Sequence, residues 1–178
     1  MSIPMQLRDA QLSDLDLLQY WDDKPHVVAA MGEDEGWDWP AELGRRADWL
    51  DMLIAEEDGR PIGFIQIIDP ASEETHYWGD VGSGLRAIDI WIGEETDLGR
   101  GFGTRMMQLA LERCFADISV TAVLLDPSVS NHGAHRFYER LGFERMERRR
   151  FDKEDCYVYR LERIRWEQAK TSTSSAKP

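Results

Sequence analysis

The sequence predicts a single α/β domain on a mixed sheet with helices on its faces, and three observations carry that reading. Two β-rich runs, 53–56 and 61–68, flank Asp58-Gly59, a pair favoured in tight hairpin turns. An apolar strand at 85–92 leads through a glycine-rich turn into a helix at 104–115. A β-branched run at 120–125 leads to a short helix at 131–141, which Gly142 stops. Strands that alternate with helices after a hairpin make a layered mixed sheet.

The remaining elements follow in order. Residues 5–9 form an edge strand. Ser13 is a plausible N-cap for a helix carrying Leu15, Leu17, Leu18 and Trp21, which Lys24-Pro25 ends. Residues 32–40 read as a loop with acids and two exposed tryptophans, Trp37 and Trp39. Residues 41–52 read as a helix with Leu43, Ala47, Leu50 and Leu53 along one face. Residues 69–84 are a polar connection holding Tyr77 and Trp78, and 143–149 and 157–161 are late strands. The Ser/Thr-rich stretch 171–178 reads as a disordered tail, which makes 1–170 the domain.

Composition narrows the class. The chain has 178 residues, 42% hydrophobic and 31% charged, as a soluble one-domain protein has. No apolar run approaches the roughly 20 residues that cross a bilayer, and no basic-then-apolar leader opens the chain. Cys114 and Cys156 make neither a disulfide framework nor a metal-like spacing. The expectation is a cytoplasmic protein without metal. Net charge is −13, and the first 98 residues hold 23 of the 34 acids but 6 of the 21 bases. Such a field gathers cations and repels nucleic acid, although acidity also serves solubility alone.

The chemistry concentrates in two stretches. Residues 87–93, Ala-Ile-Asp-Ile-Trp-Ile-Gly, precede Leu98-Gly99-Arg100-Gly101-Phe102-Gly103-Thr104. Glycines let backbone N–H groups approach a ligand, and a helix N-terminus favours an anion, so strand, turn and helix make a pyrophosphate cradle to which Arg100 adds charge. The turn lacks the Gly-Lys-Ser/Thr ending of a nucleotide P-loop. Asp89 interrupts an apolar strand, and an acid there is costly to bury without a partner. Alternation sets it opposite Ile88 and Ile90, so it either binds a ligand or pairs with a cation such as Arg86. Asp126 precedes Pro127, a turn pair that also ends a strand. Tyr138 sits near Phe137 and Phe143; it is either a core aromatic or a phenol that donates a proton. Cys114 lies on the apolar side of a helix and reads as core.

Asn131 after a strand, then Phe137-Tyr138-Glu139-Arg140-Leu141-Gly142-Phe143, with Gly101-Phe102-Gly103-Thr104 upstream, resembles the GNAT N-acetyltransferase superfamily. His26-Val27-Val28, the hairpin at 59–66, Arg86-Ala87-Ile88-Asp89 and Asp126-Pro127-Ser128 make the chain similar to aminoglycoside 6′-N-acetyltransferases of the Ib-like branch, over about residues 7–160. Enzymes that acylate siderophore hydroxylamines share much of the pattern.

The resemblance implies one GNAT domain with splayed central strands and acetyl-CoA in the gap. Backbone groups of Ile90, Trp91 and Ile92 would pair with the pantetheine arm, and Asn131 would also bind it. Arg100, Gly101, Phe102, Gly103 and Thr104 would hold the pyrophosphate. Tyr138 would protonate the departing CoA sulfur, and Asp89 would bind the ammonium and take its proton. Asp126, Gln66, Trp78 and Glu154 would contact the acceptor, with Asp155 an alternative acid and Trp37 and Trp39 further walls. The implied reaction is acetylation of the 6′-amine of an aminoglycoside, a small polycation. The implied enzyme is a monomer or weak homodimer that engages no nucleic acid or membrane. The alternatives are acylation of a siderophore precursor, a polyamine or a basic peptide, and a non-catalytic acyl-CoA sensor.

Overall fold

The structure is a computed structural model that describes residues 4–31 and 36–175. Its strands are β1 (Gln6–Asp9), β2 (Leu50–Glu57), β3 (Arg60–Ile68), β4 (Leu85–Ile92), β5 (Ala122–Leu125), β6 (Glu144–Phe151) and β7 (Glu154–Glu162). Its helices are α1 (Leu15–Asp22), α2 (Pro25–Met31), α3 (Trp39–Gly44), α4 (Phe102–Ala116), α5 (His132–Arg140) and α6 (Arg163–Ser175). The strands form one seven-stranded sheet in the order β1-β2-β3-β4-β5-β7-β6. Every neighbouring pair is antiparallel except β4 and β5.

Local chemistry explains the hairpin. Asp58 and Gly59 take φ of 52° and 74°, the left-handed pair that matches the twist of a two-residue turn. Along β2, Leu53 and Ala55 join one core cluster and Ile54 joins another, as period-2 alternation requires. The first cluster packs one sheet face against α4, with Ile65, Ile88, Met106, Met107 and Tyr159 at its centre. The opposite face carries two smaller clusters. One joins α1, α2 and α3 to Ile54, Phe64 and Trp91; the other gathers Trp78, Ala87, Leu124, Phe151, Cys156 and Val158.

Several elements depart from the sequence reading. The helix expected over 41–52 is confined to α3, and Leu50 already pairs with Ile68. Leu50 to Met52 pair with β3, and their successors from Leu53 lie between β1 and β3, so sheet pairing outweighs helical spacing. Pro25 ends one helix and opens the next, since the first turn of a helix does not need its missing N–H. Trp39 is fully buried, and Trp37 stacks on it at 4.9 Å, so neither is the freely exposed ring expected. Residues 32–35 of that expected loop lie outside the described residues. The chain stays helical through Ser175, beyond the expected tail boundary at 170. Thr171, Ser172, Thr173 and Ser175 each donate a hydroxyl to the carbonyl four residues back, which satisfies them inside a helix. Residues 176–178 of the expected tail lie outside the described residues.

Gly63 sits opposite Ile92 where β3 and β4 press closest. A Cβ there would collide with the Trp91 carbonyl oxygen and lie 2.8 Å from Met106 Cε. Gly63→Ala should therefore cost about 1–3 kcal/mol of stability through overpacking. Urea unfolding measures it, and an unchanged midpoint would refute so close an approach.

Candidate active site

The site begins where β4 and β5 part. They pair at Leu85 with Ala122, Arg86 with Val123 and Ala87 with Leu124, and there the ladder ends. β4 itself continues to Ile92, still paired with β3. The chain leaving β5 stays with β7 instead. Tyr157 N–H donates to the Pro127 carbonyl at 3.0 Å, Val129 N–H donates to the Asp155 carbonyl at 2.8 Å, and Ser128 bridges Cys156. Pro127 has no N–H to extend a ladder toward β4. Residues 88–92 therefore present a backbone edge that no strand covers among the described residues.

Two helix N-termini border this edge. Asn131 caps α5, its side-chain oxygen accepting from Ala134 N–H at 3.1 Å, which leaves its amide N–H groups to donate elsewhere. Gly99 and Gly101 have φ of 70° and 80°, and Gly101 caps α4. The first-turn amides of α4 have no partner within the helix, which suits an anion. A Cβ on Gly103 would come within 3.5 Å of Phe137 and 3.7 Å of Ile92, so α4, α5 and the end of β4 meet at a glycine. Arg100 is already engaged: it donates at 2.9 Å to Asp97, a carboxylate 2% exposed that Arg60 also grips. Sequence reasoning missed Asp97 and Arg60. Asp97 stands three residues before Arg100, but Arg60 reaches it only through the fold. His26 Nε2–H donates to the Ile92 carbonyl at 2.9 Å and ties α2 to the end of β4.

The opposite sheet face carries the acids. Gln66 stands in register with Asp89, and Phe64 with Trp91, so the four side chains form one patch. Gln66 is buried, and its Oε1 has no hydrogen-bond partner among the described residues. Asp89 is half-buried. Arg86, its alternative partner, lies on the other face of β4 and is engaged with Asp69 and Asp117. Asp126, just past β5, accepts a 2.6 Å hydrogen bond from the Tyr77 hydroxyl. Crowding by the surrounding protein pushes the Asp126 carboxyl above its ordinary pKa, against the opposing pull of that bond and of Arg149. Tyr138 is almost fully buried on α5. Burial first, and then the charges of Asp89 and Asp126, hold its phenol well above its ordinary pKa, so it keeps its proton. Tyr138 packs near Phe137, Phe143 and Tyr159, as the core reading expects, and it also lies within the field of both acids.

The aromatic wall differs from expectation. Trp78 is 5% exposed and packs edge-on to Phe151, inside the core. Tyr77, stacked on Phe151 at 4.7 Å, is the aromatic that meets Asp126. Neighbouring side chains in an irregular connection take whichever direction packing leaves them, so composition did not choose between the two. Glu154 opens β7 and lies close enough to Cys156 to raise that thiol, which burial above all pushes up to about 12. Asp155, its alternative, is committed to Arg148 and Arg150. Cys114 is buried and likewise pushed up to about 12, which suits a core residue and not a nucleophile.

Comparison with known proteins places this geometry in a family. Residues 10–151 match the model of the acetyltransferase (GNAT) domain. Aminoglycoside N(6′)-acetyltransferase type 1 of Klebsiella pneumoniae is 32% identical over 142 residues, 74% of this chain and 70% of that protein. Lysine N-acyltransferase MbtK of Mycobacterium tuberculosis is 25% identical over 147 residues, 78% of this chain and 68% of that protein. The crystal structure of aminoglycoside acetyltransferase AAC(6′)-Ib in complex with coenzyme A and kanamycin superposes with a TM-score of 0.83 at 28% identity, covering 93% of this chain and 99% of that one. With its sheet parted between β4 and β5 and a glycine-capped helix at the opening, the chain belongs to the GNAT acetyltransferase family.

Proposed function

We propose that this chain transfers the acetyl group of acetyl-CoA to the 6′-amine of an aminoglycoside. The observation that carries the reading is the acidic strip of Asp89 and Asp126, with the buried Gln66 oxygen, lying in one field with the proton-bearing Tyr138. The relatives named above, one of them with coenzyme A and kanamycin bound, support it.

The residues fit the cofactor. An uncovered strand edge at 88–92 offers backbone groups to an amide-bearing arm, and the first turn of α4 offers amides to a pyrophosphate. Acetyl-CoA supplies an acetyl group activated as a thioester. Asp89 and Asp126 bind the cationic acceptor, and Asp89 takes the proton that the attacking nitrogen sheds. Tyr138 donates a proton to the leaving sulfur. A backbone N–H of residues 90–92 stabilises the carbonyl oxygen as charge builds on it. Buried polar atoms on this face that have no partner among the described residues include an acceptor, Gln66 Oε1, and a donor, Trp91 Nε1. An amino sugar can satisfy both, whereas a fully protonated polyamine brings only donors. The setting proposed is the cytoplasm, and the enzyme a monomer or weak homodimer. Among the described residues no helix is long and apolar enough to cross a membrane.

Lysine acylation is the rival that a relative favours. CoA release with kanamycin, tobramycin, an aminoglycoside bearing a 6′-hydroxyl, spermidine and lysine separates the readings. Turnover should be confined to drugs with a 6′-amine, and turnover on lysine or spermidine alone would move the substrate. Asp89→Asn should lower kcat/KM by about 10²–10⁴-fold, the usual worth of a general base; activity within a few-fold of the parent would remove Asp89 from that role.

Asp126 yields a test of opposite sign in stability. Its carboxyl titrates above the unfolded value, so its stabilising contribution is full below the unfolded pKa and is lost as pH rises through the folded one. Asp126→Asn should therefore raise the melting temperature at neutral pH while weakening acceptor binding. A lower melting temperature there would contradict the crowding inferred for this carboxylate.

A further inference from the structure

Asp97 presents a puzzle, because a carboxylate is out of place beside an anion cradle. It ends a short 3₁₀ turn, Glu95–Asp97, immediately before the loop that leads into α4, and it is 2% exposed. Its Oδ2 accepts from Arg60 Nη1 at 2.7 Å, and its Oδ1 accepts from Arg60 Nη2 at 3.1 Å and from Arg100 Nη1 at 2.9 Å. A planar guanidinium that grips both oxygens of a carboxylate fixes direction as well as distance. Arg60 opens β3 directly after the hairpin turn and pairs with Glu57 in the sheet. Arg100 stands between Gly99 and Gly101, the two left-handed glycines of the loop.

Those glycines leave the loop conformation weakly determined by the backbone alone, because glycine visits both signs of φ. An outside anchor has to choose it. The cations around the loop add to the need. The Arg60, Arg100 and Arg105 guanidinium carbons lie 5.9, 5.0 and 5.0 Å from the centroid of the buried Phe102 ring. Three cations on one ring repel one another unless countered. Glu57 holds Arg105, and Asp97 holds the other two. The acid thus ties the loop to the hairpin and spaces its arginines without facing the cradle as a bare charge.

We infer that Asp97 is a positioning residue that presets the loop at 98–104 for the pyrophosphate of CoA. The inference rests on the proposed placement of CoA at this loop. Electrostatics alone predicts the opposite effect, since removing a negative charge near a diphosphate should tighten binding. The sign of one measurement therefore decides.

The experiment compares the parent with Asp97→Asn and with Arg60→Met, which removes the hairpin half of the clamp from a half-exposed position. CoA affinity is read by calorimetry, and kcat and KM are read with acetyl-CoA and with S-acetylpantetheine, which lacks the diphosphate. Asp97→Asn should weaken CoA binding and raise KM for acetyl-CoA on the order of tenfold to a hundredfold, as a misplaced binding group does. Its kcat at saturating acetyl-CoA and its kcat/KM with S-acetylpantetheine should stay within about threefold of the parent, the pattern of a lost binding contribution. Arg60→Met should shift the same parameters in the same direction, and it carries the test if Asp97→Asn does not fold. Unchanged or tighter CoA binding overturns the inference. So does an equal loss with S-acetylpantetheine, which would mean a general structural role. A parent protein that binds no CoA would instead overturn the placement of the cofactor.

Discussion

Everything distinctive about this protein depends on the parting of β4 from β5. The two strands share a ladder of three residue pairs, the only parallel contact of the sheet among the described residues. After Leu124 the chain has a choice of neighbours, and it stays with β7 through Pro127, Ser128 and Val129. The alternative ladder would leave the β6–β7 hairpin edge unpaired and would require an N–H that Pro127 lacks. β4 is meanwhile held by β3 to its last residue, so it cannot follow. An uncovered strand edge in a protein interior is costly unless something hydrogen-bonds to it, which suits the amide-bearing arm of the proposed cofactor.

The parting also sets groups of opposite charge on the two sides of the proposed site. On one side of the sheet, guanidinium groups gather around Phe102 at the start of α4, each balanced by a carboxylate. On the other side, Asp89 and Asp126 face the region between two aromatic clusters. The sheet thus keeps the cationic and the anionic side chains apart. Part of the acidic excess of the first half is taken up by ion pairs. Asp14 and Glu56 neutralise Arg8, Asp51 pairs with Arg113, and Asp69 pairs with Arg86. Those four acids are therefore engaged within the protein.

Stability and site share parts. Phe64 and Trp91, paired across β3 and β4, belong to the cluster that holds α1 to α3 on the sheet, and they adjoin Gln66 and Asp89 in the same patch. Trp21 lies over Gly93 so closely that any side chain there would occupy its ring, and its indole reaches Glu94 at 3.3 Å. The helices on this face are therefore docked onto the end of β4, so packing in the minor clusters sets the geometry beside Asp89.

The sequence by itself determined the elements whose signals are local. The Asp58-Gly59 turn, the apolar runs of β4 and β5 and the helix that follows the glycine-rich turn each act within a few residues, and each formed where pattern and propensity indicated. Asp89 was legible as a candidate because an acid in an apolar strand is a local anomaly, whereas Asp126 and Tyr138 became candidates through the family resemblance. Only the tertiary structure decided that Leu50 pairs as strand, that Tyr77 and not Trp78 meets Asp126, and that Asp97 is clamped by an arginine 37 residues away. These outcomes depend on contacts between segments distant in the chain, whose free energies exceed the small local preferences that a sequence displays.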